Sequence, residues 1–206
     1  MLIDLRELCK SYQFIPKGIL HVGAHKAEEY NVYTELGVNN VVWIEANKEL
    51  LNSIKNNIPE HQIILNYLVS DVDDKEYLFK ITNNGESSSL LELDKHKIHH
   101  PHIHVISEEI LKSKTIDTII KENNLNMEFI NFLNLDIQGA ELLALKGAKE
   151  NLVNIDYVYT EINTASIYKN CALINEIDDF LSENGFYRAE TRLTQYEWGD
   201  AFYVRK

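Results

Sequence analysis

Short apolar runs alternate along the chain with segments of helical period, and this alternation limits the possible folds more than any other feature. Five runs predict strands: GILHV (18–22), NVVWIE (40–45), QIILNYLVS (62–70), FINFLNLDI (129–137) and DYVYTEI (156–162). Helices are predicted between them at 26–36, 47–57, 114–124 and 139–149. Most of these strands are too continuously apolar for a sheet with one solvated face, which favours parallel strands covered on both sides.

The C-terminal part predicts how this sheet ends. CALINEIDDFLSENG (171–185) places its apolar residues on one helical face and predicts an amphipathic helix. FYRAETRL (186–193) and DAFYVRK (200–206) predict two strands joined by the turn-prone TQYEWGD. The expected fold is therefore α/β and Rossmann-like: a doubly wound, mostly parallel seven-stranded sheet with one antiparallel strand inserted late.

Size and charge narrow the class of protein. The 206 residues suffice for one well-buried domain, and we expect a single domain over 1–206. The net charge of -12, with lysines scattered among acids, argues against nucleic acid as a partner. MLIDLRELCKSY (1–12) predicts an amphipathic helix and no signal peptide, and no apolar run is long enough to span a membrane. Cys9 and Cys171 form no redox or metal spacing, so we expect a cytoplasmic protein.

Polar residues follow the predicted strands where a doubly wound sheet binds its ligand. They are His21, Gly23, Ala24 and His25 after the first strand, Glu45 after the second, Ser70 and Asp71 after the third, Asp136 after the fourth and Glu161 after the fifth. Because the carboxyl ends of parallel strands meet at one edge, we expect these side chains to lie near one another.

Glu45 is the first candidate for binding a nucleoside. It lies 22 residues after Gly23, close to the spacing of roughly 20 at which an acid meets ribose hydroxyls. The alternative is an ordinary helix-start acid beside Asn47. The turn has Gly23 alone, with no G-x-G-x-x-G for a pyrophosphate, so a cationic sulfonium nucleoside suits it better.

Six segments in this order resemble the FkbM-type S-adenosylmethionine-dependent methyltransferases. They are HVGAHKAEEY, VVWIEANKELL, NNGESSSLLEL, SKTIDTII, FLNLDIQGAELLALKGA and WGDAFYVRK, which follow one another within residues 18 to 206. The resemblance implies a class I methyltransferase fold, S-adenosylmethionine as methyl donor, and O-methylation of sugars, glycans or related small molecules. The expected donor-binding residues are His21, Gly23, Ala24, His25, Glu28, Glu45, Ala46, Ser70, Asp71 and Asp136.

The sequence departs from the family pattern at three positions. His21 stands where an acid is common, Ala27 replaces the later glycine of the first turn, and Gln138 makes the usual DxEG into DIQG. Glu28, one helical turn beyond Ala24, is a possible substitute for the missing acid. The alternative for Glu28 is a solvated acid on a helix.

Residues 71–106 break the alternation of strands and helices. They hold a possible strand in DKEYLFKIT, a polar tip around Ser87 to Ser89, and the histidine-rich DKHKIHHPHIH (94–104). Long irregular connections inside a compact domain usually carry function or are disordered. We interpret 71–114 as an acceptor-binding insertion.

Methylation of a hydroxyl requires a base or a metal near the acceptor oxygen. Asp136 is the first candidate base, and His100 and Glu161 are further catalytic candidates. Asp136 and Glu161 could also share a divalent metal, which is not favoured. If 100–104 is extended, His100, His102 and His104 face one side, but zinc is not favoured without cysteine ligands.

Two other functions remain open at this stage. A nicotinamide-dependent oxidoreductase shares the fold logic but normally has the glycine fingerprint that this turn lacks. The departures at His21, Ala27 and Gln138 leave room for a degenerate domain that binds a glycan without catalysis. The sequence leaves the acceptor and the oligomeric state open.

Overall fold

A seven-stranded sheet forms the centre of the computed structural model, which describes all 206 residues. In chain order the strands are β1 (Ile19–Val22), β2 (Val41–Glu45), β3 (Ile63–Asn66), β4 (Leu68–Val69), β5 (Glu76–Thr82), β6 (Val105–Lys114), β7 (Phe132–Leu135), β8 (Tyr157–Asn163), β9 (Phe186–Leu193) and β10 (Trp198–Arg205). The main sheet has the order β3-β2-β1-β7-β8-β10-β9. Strand β10 runs antiparallel to both β8 and β9, and the other pairs are parallel. The predicted late antiparallel strand is confirmed.

Seven helices accompany the strands. They are α1 (Leu5–Ser11), α2 (Tyr30–Glu35), α3 (Leu51–Asn57), α4 (His96–His99), α5 (Ile116–Glu122), α6 (Glu141–Lys146) and α7 (Ile174–Glu183), with short 3₁₀ turns at Lys48–Leu50, Met127–Phe129 and Leu152–Asn154. The helix predicted over 26–36 begins only at Tyr30, because residues 24–29 form the turn that follows β1. No helix is long and apolar enough to cross a membrane.

The central strands β1, β2 and β7 of the main sheet are buried on both faces, as their continuous apolar runs predict. Leu20 and Val22 pack on one face with α5, α6 and α7, while Ile19 packs on the other with α1, α2 and α3. Successive side chains of β1 therefore pack into the hydrophobic cores on opposite sides of the sheet, and neither face of β1 is exposed to solvent. At these central strands, the carboxyl edge is left for polar side chains.

A second, three-stranded sheet of order β4-β6-β5 corrects two predictions. The run 62–70 is two strands: β3 continues the main sheet, whereas β4 pairs in parallel with the end of β6. The region 71–106 is more regular than predicted, because the possible strand is β5 and it pairs with β6 along its whole length. Strand β6 was not predicted, because charged residues such as Glu108 and Glu109 interrupt its apolar pattern.

The segment after β5 folds back over the carboxyl edge of the main sheet. Ser89 Oγ donates to the carbonyl of Gln138, and the backbone of Asp94 bonds to Ile167. These bonds hold the polar tip 83–89 and helix α4 above the ends of β1, β7 and β8. The fold thus builds a roofed cleft at this edge.

Candidate active site

A cleft with a volume of about 400 Å³ lies at the carboxyl edge of the main sheet. Its floor comes from the ends of β1, β7, β8 and β10, and its roof from the tip 83–89 and the segment around α4. The lining includes His21, Gly23, Ala24, His25, Glu28, Asp136, Gln138, Glu161, Asp200, His96, His100, Tyr168 and Trp198. The structure therefore brings most of the predicted site residues to one place.

The turn after β1 requires a glycine at its first position. Gly23 has a φ of +88°, and a Cβ placed there would lie 1.8 Å from the backbone oxygen of Asp136. Ala27, which stands where a family glycine is common, has a φ of +60° and also adopts the left-handed conformation. The turn thus keeps a glycine-type path with one glycine fewer.

Replacing Gly23 by alanine is expected to destabilise the protein by about 3 kcal/mol or more, because backbone strain adds to a clash with backbone. Gly37→Ala is the matched control: Gly37 has a φ of +78°, but nothing lies within 4 Å of the added Cβ. Its expected cost is about 1–2 kcal/mol, from strain alone. Urea denaturation of both variants measures the difference, and equal losses would contradict the close packing of β1 against β7.

A second, narrower cavity of about 50 Å³ lies beside the cleft, at the end of β2. Glu45 is buried there, and its carboxylate accepts the backbone N–H of His25 at 2.8 Å and that of Asn47 at 2.7 Å. Burial raises the pKa of Glu45, although these two N–H groups oppose the shift. Apolar side chains complete the cavity, namely Ile44, Leu68, Phe79, Leu90 and Ile137. This is an apolar slot with a carboxylate at its rim.

His21 belongs to a buried polar cluster instead of an open acid site. Its Nδ1 lies 3.1 Å from the hydroxyl of Tyr33, and the amide nitrogen of Asn134 donates to that hydroxyl at 2.9 Å. Burial lowers the pKa of His21, which keeps the imidazole neutral. The oxygen Oδ1 of Asn134 is buried without any partner.

Gln138 connects the carboxylates of Asp136 and Glu161. Its Nε2 donates to Asp136 Oδ1 and to Glu161 Oε2, each at 2.7 Å, and its Oε1 accepts the hydroxyl of Tyr168. Gln138 has a φ of +59° and Gly139 one of +95°, so the DIQG turn contains two left-handed residues in succession. This turn aims the amide back at the end of β7.

Three carboxyl groups at the cleft floor influence one another. The side chain of Asp136 is open to the cleft, but the surrounding protein excludes most of the bulk water from it. This burial, together with the nearby charge of Asp200, raises the pKa of Asp136 to about 6. Burial and Asp136 raise the pKa of Glu161 well above its usual range. Asp200 pairs with Glu161 across β8 and β10 and accepts the hydroxyl of Tyr159. Near neutral pH, Asp136 is therefore mostly ionised, whereas Glu161 is harder to ionise than an exposed glutamate.

Glu141 lies directly below this floor and is fully buried. One of its oxygens accepts the backbone N–H of Ile137 at 3.0 Å and that of Gly139 at 3.1 Å. Burial raises the pKa of Glu141 to about 7, with Asp136 contributing in the same direction. The group therefore braces the DIQG turn while remaining partly protonated at neutral pH.

The melting temperature is expected to fall as the pH rises from 5 to 8. The folded pKa of Glu141, about 7, exceeds the ordinary 4.5, so its contribution is complete below pH 4.5 and is lost as the pH rises through 7. A difference of one in pKa between the folded and unfolded states corresponds to about 1.4 kcal/mol, or roughly 2–4 °C for a domain of this size. Calorimetry at constant ionic strength should show a weaker fall in Glu141→Gln than in the exposed control Glu60→Gln. A melting temperature that stays flat or rises over this range would contradict the assignment.

The histidines of the insertion do not form one face. Helix α4 ends at His99, and a turn at 101–102, closed by the Ile103 N–H on the carbonyl of His100, keeps 100–104 from being an extended strand. His102 and His104 are exposed, while His96 and His100 line the cleft. Burial lowers the pKa of His100, with His102 and His99 contributing, and the ring lies 4.9 Å from that of Tyr196. No three His, Cys, Asp or Glu side chains are arranged to hold a metal ion.

Two predicted residues lie away from both cavities. Ser70 is buried and its Oγ donates to the exposed Asp71 at 3.1 Å. They turn away because the chain leaves the main sheet after β3 and pairs as β4 with β6. Ala46 and Glu45 line the narrower cavity, as predicted positions after β2 should. The structure thus separates the third strand end from the rest of the candidate site.

Several residues of the cleft were not among the predicted site residues. Asp200 is the clearest case: it is a charged residue inside the apolar strand segment WGDAFYV, and that contrast was the available signal. Tyr159, Asn134 and Tyr168 carry no such signal because they sit in ordinary strand or loop patterns. Their place in the cleft follows only from the three-dimensional arrangement.

Solved structures with a similar fold belong to methyltransferases. The chain resembles a SAM-dependent methyltransferase from Aquifex aeolicus (TM-score 0.52, 10% identity, 100% of this chain and 91% of that one). It also resembles magnesium protoporphyrin IX methyltransferase from Synechocystis PCC 6803 with bound SAM (0.51, 10%, 98% and 76%) and ribosomal protein L11 methylase from Lactobacillus delbrueckii subsp. bulgaricus (0.50, 10%, 98% and 77%). At such identities these likenesses show the fold alone. No curated protein matches the chain in sequence.

The fold is that of the class I S-adenosylmethionine-dependent methyltransferases. The sequence model of the methyltransferase FkbM domain matches residues 21–187, and the chain therefore belongs to the FkbM methyltransferase family. The resemblance seen in the six segments is confirmed, and the protein is a methyltransferase that uses S-adenosylmethionine. The family match decides against the nicotinamide-dependent alternative.

The residues of the two cavities fit this methyl donor. A carboxylate has about four acceptor positions, so Glu45 retains two for ribose hydroxyls after binding two N–H groups. The orphaned Oδ1 of Asn134 and the ionised Asp136 suit a ligand that bears positive charge. At about 50 Å³ the slot beside Glu45 is far smaller than the roughly 300 Å³ of ordinary ligand pockets. A nucleoside would fit there only if the wall of Gly85, Glu86 and Ser88 moved outward.

Proposed function

We propose that this methyltransferase methylates a hydroxyl group of a sugar, a glycan or a related small molecule. The observation that carries the proposal is the Gln138 bridge, which holds the carboxyl groups of Asp136 and Glu161 side by side in the cleft. Two carboxyl groups with separated pKa values are the arrangement of an acid–base pair. A hydroxyl acceptor needs such a pair because its proton must leave as the new bond forms.

We assign each side of the cleft a role. Glu45 and Ala46, with the turn from Gly23 to His25, bind the nucleoside of the donor. Bound S-adenosylmethionine supplies an activated methyl group on its sulfonium sulfur. His21 acts through the buried cluster beneath the turn, and Glu28 fixes His25 by a 2.7 Å bond to its Nδ1. Ser70 and Asp71 are left out of this assignment because they line neither cavity.

Asp136 is assigned as the general base. Its Oδ1 accepts from Gln138, while Oδ2 receives no hydrogen bond from the protein and is free to take the proton of the acceptor hydroxyl. Glu161, whose pKa is raised by burial and by Asp136, orients the acceptor through its free oxygen Oε1. His100, neutral and on the opposite wall, is the second candidate base. We also propose that the chain forms a single domain over 1–206 and that its insertion 71–114 binds the acceptor, since that insertion supplies the roof of the cleft.

Methyl transfer from isotopically labelled S-adenosylmethionine to a panel of hydroxylated acceptors tests the function. The panel contains monosaccharides, oligosaccharides and polyols, with an RNA oligonucleotide and a peptide as comparison acceptors. The expected product is a methyl ether, identified by mass and by NMR. Label appearing only on nitrogen, on RNA or on peptide would refute O-methylation, and saccharide binding without turnover would favour a non-catalytic glycan-binding domain.

A further inference from the structure

The larger cleft has an acidic lining that one cation balances in part: the N-terminal ammonium of Met1, 3.8 Å from Glu29 Oε1. Six of its side chains are carboxylic acids, and no lysine or arginine lines it: Glu28, Glu29, Glu86, Asp136, Glu161 and Asp200. Lys95, beside His96 in the chain, is bound to both carboxylate oxygens of Glu197 at 2.9 and 3.0 Å. The donor carries only a single net positive charge, from a sulfonium, an ammonium and one carboxylate. Negative charge is therefore left over on the acceptor side.

The hydrogen-bond donors of the wall are already occupied. Both hydrogens of the Gln138 amide bind carboxylates, and the hydroxyl of Tyr168 binds Gln138 in turn. The hydroxyl of Tyr159 is held by Asp200, and the amide of Asn134 by Tyr33 and His21. Few protein donors are thus available to a phosphate or carboxylate, each of which needs several.

Acceptor atoms remain free on the same wall. Asn134 is 2% exposed and its Oδ1 has no partner, which is costly in a buried position unless a ligand donor satisfies it. Asp136 Oδ2 and Glu161 Oε1 likewise receive no bond from the protein. The indole N–H of Trp198, the ring of His100 and the ammonium of Met1 are among the donors left, which is enough for a hydroxyl oxygen. The wall is complementary to a ligand that is itself rich in donors.

We infer that the methyl acceptor is a hydroxylated molecule that bears an amine or is uncharged, and that the cleft rejects phosphorylated and carboxylated acceptors. The inference rests on the proposed function and adds the charge class of its substrate. An amine satisfies the free carboxylate oxygens, and the aromatic faces of Trp198 and Tyr168 suit a cation. An anion meets like charge without compensating donors.

Binding of matched probes to the protein saturated with S-adenosylhomocysteine tests this charge order. The first set is glucosamine, glucose and glucuronate, and the second is ethanolamine, ethylene glycol and glycolate. In each set the scaffold is small and hydroxylated while the charge runs from positive to negative. Ligand-detected NMR titration should give affinities that fall by about tenfold per step of charge, with the ratio shrinking as salt is raised.

A charge reversal on the tip gives a second test. Glu86→Lys places a cation on a lining side chain that has no hydrogen bond to the site. It should raise the affinity for glucuronate and glycolate about tenfold or more and lower that for the amines. Glu60→Lys makes the same change in net charge on an exposed loop outside both cavities, and should leave the order unchanged.

Three outcomes would overturn the inference: anionic probes that bind as well as the amines, a charge order that Glu60→Lys alters as much as Glu86→Lys, and no binding by any probe. The proposed function fails separately. If the charge order holds but labelled methyl never reaches a hydroxyl oxygen of any acceptor, the charge class stands and O-methylation does not.

Discussion

Replacing Asp136 by asparagine is expected to lower kcat for methyl transfer by about 10²–10⁴-fold, the usual contribution of a positioned general base. Asparagine keeps the shape of the side chain and its contact with Gln138, but it cannot take the acceptor proton. The wild-type rate should rise with pH through about 6, where Asp136 ionises. That rise should be absent from the residual activity of the variant.

The measurement is a pH profile of kcat with the best acceptor of the panel, together with the affinity for S-adenosylhomocysteine. Asp136 is also predicted to bind the donor. Asp136→Asn must therefore lose much less affinity for S-adenosylhomocysteine than it loses in kcat. Asp71→Asn is the matched control, since Asp71 follows β4 and lines neither cavity. If Asp136→Asn keeps the wild-type rate and profile, the base is another group, and His100→Gln becomes the next variant to assay.

Replacing Glu45 by alanine is expected to weaken binding of S-adenosylhomocysteine by about 100-fold. Each charge-assisted hydrogen bond to a ribose hydroxyl is worth about 1.5–3 kcal/mol, and a tenfold change in affinity corresponds to about 1.4 kcal/mol. Glu45→Gln should lose less, because one oxygen still accepts. Isothermal titration calorimetry with the purified variants measures both values.

The control for Glu45 must separate ligand contact from loosening of the turn. Glu45→Ala also frees the N–H groups of His25 and Asn47, so its melting temperature is measured alongside. Asn47→Ala removes the 3.1 Å cap on the N–H of Glu49 next to the slot without touching the carboxylate. Equal affinity losses in Asn47→Ala and Glu45→Ala would mean that Glu45 only braces the turn.

The main sheet could be predicted because both of its faces are buried. Apolar residues then fill nearly every position of β1, β2 and β7, and the pattern is visible without any partner in view. Strand β6 could not be predicted in the same way, since most of its residues are exposed or only half-buried and its register depends on β5. Strand β4 likewise leaves the main sheet because it pairs with β6. The sequence QIILNYLVS does not show where β3 ends and β4 begins.

The candidate site was predictable where chain position alone fixes a residue. Gly23, Glu45 and Asp136 lie at the ends of buried strands, so the topology brings them to one edge. Gln138 stands out in the sequence only as a departure from a family motif, because its role depends on a left-handed turn that aims its amide at two carboxylates. Asp200 enters the cleft from the antiparallel strand β10, where register across β8 sets it beside Glu161.

A crystal structure with bound S-adenosylhomocysteine tests most directly the claim that this edge of the sheet holds the donor. We predict both ribose hydroxyls on the carboxylate of Glu45, the sulfur facing the cleft beside Asp136, and the tip 83–89 displaced from its contact with His25. A nucleoside bound elsewhere, or a Glu45 that still contacts only the N–H groups of His25 and Asn47, would contradict the account.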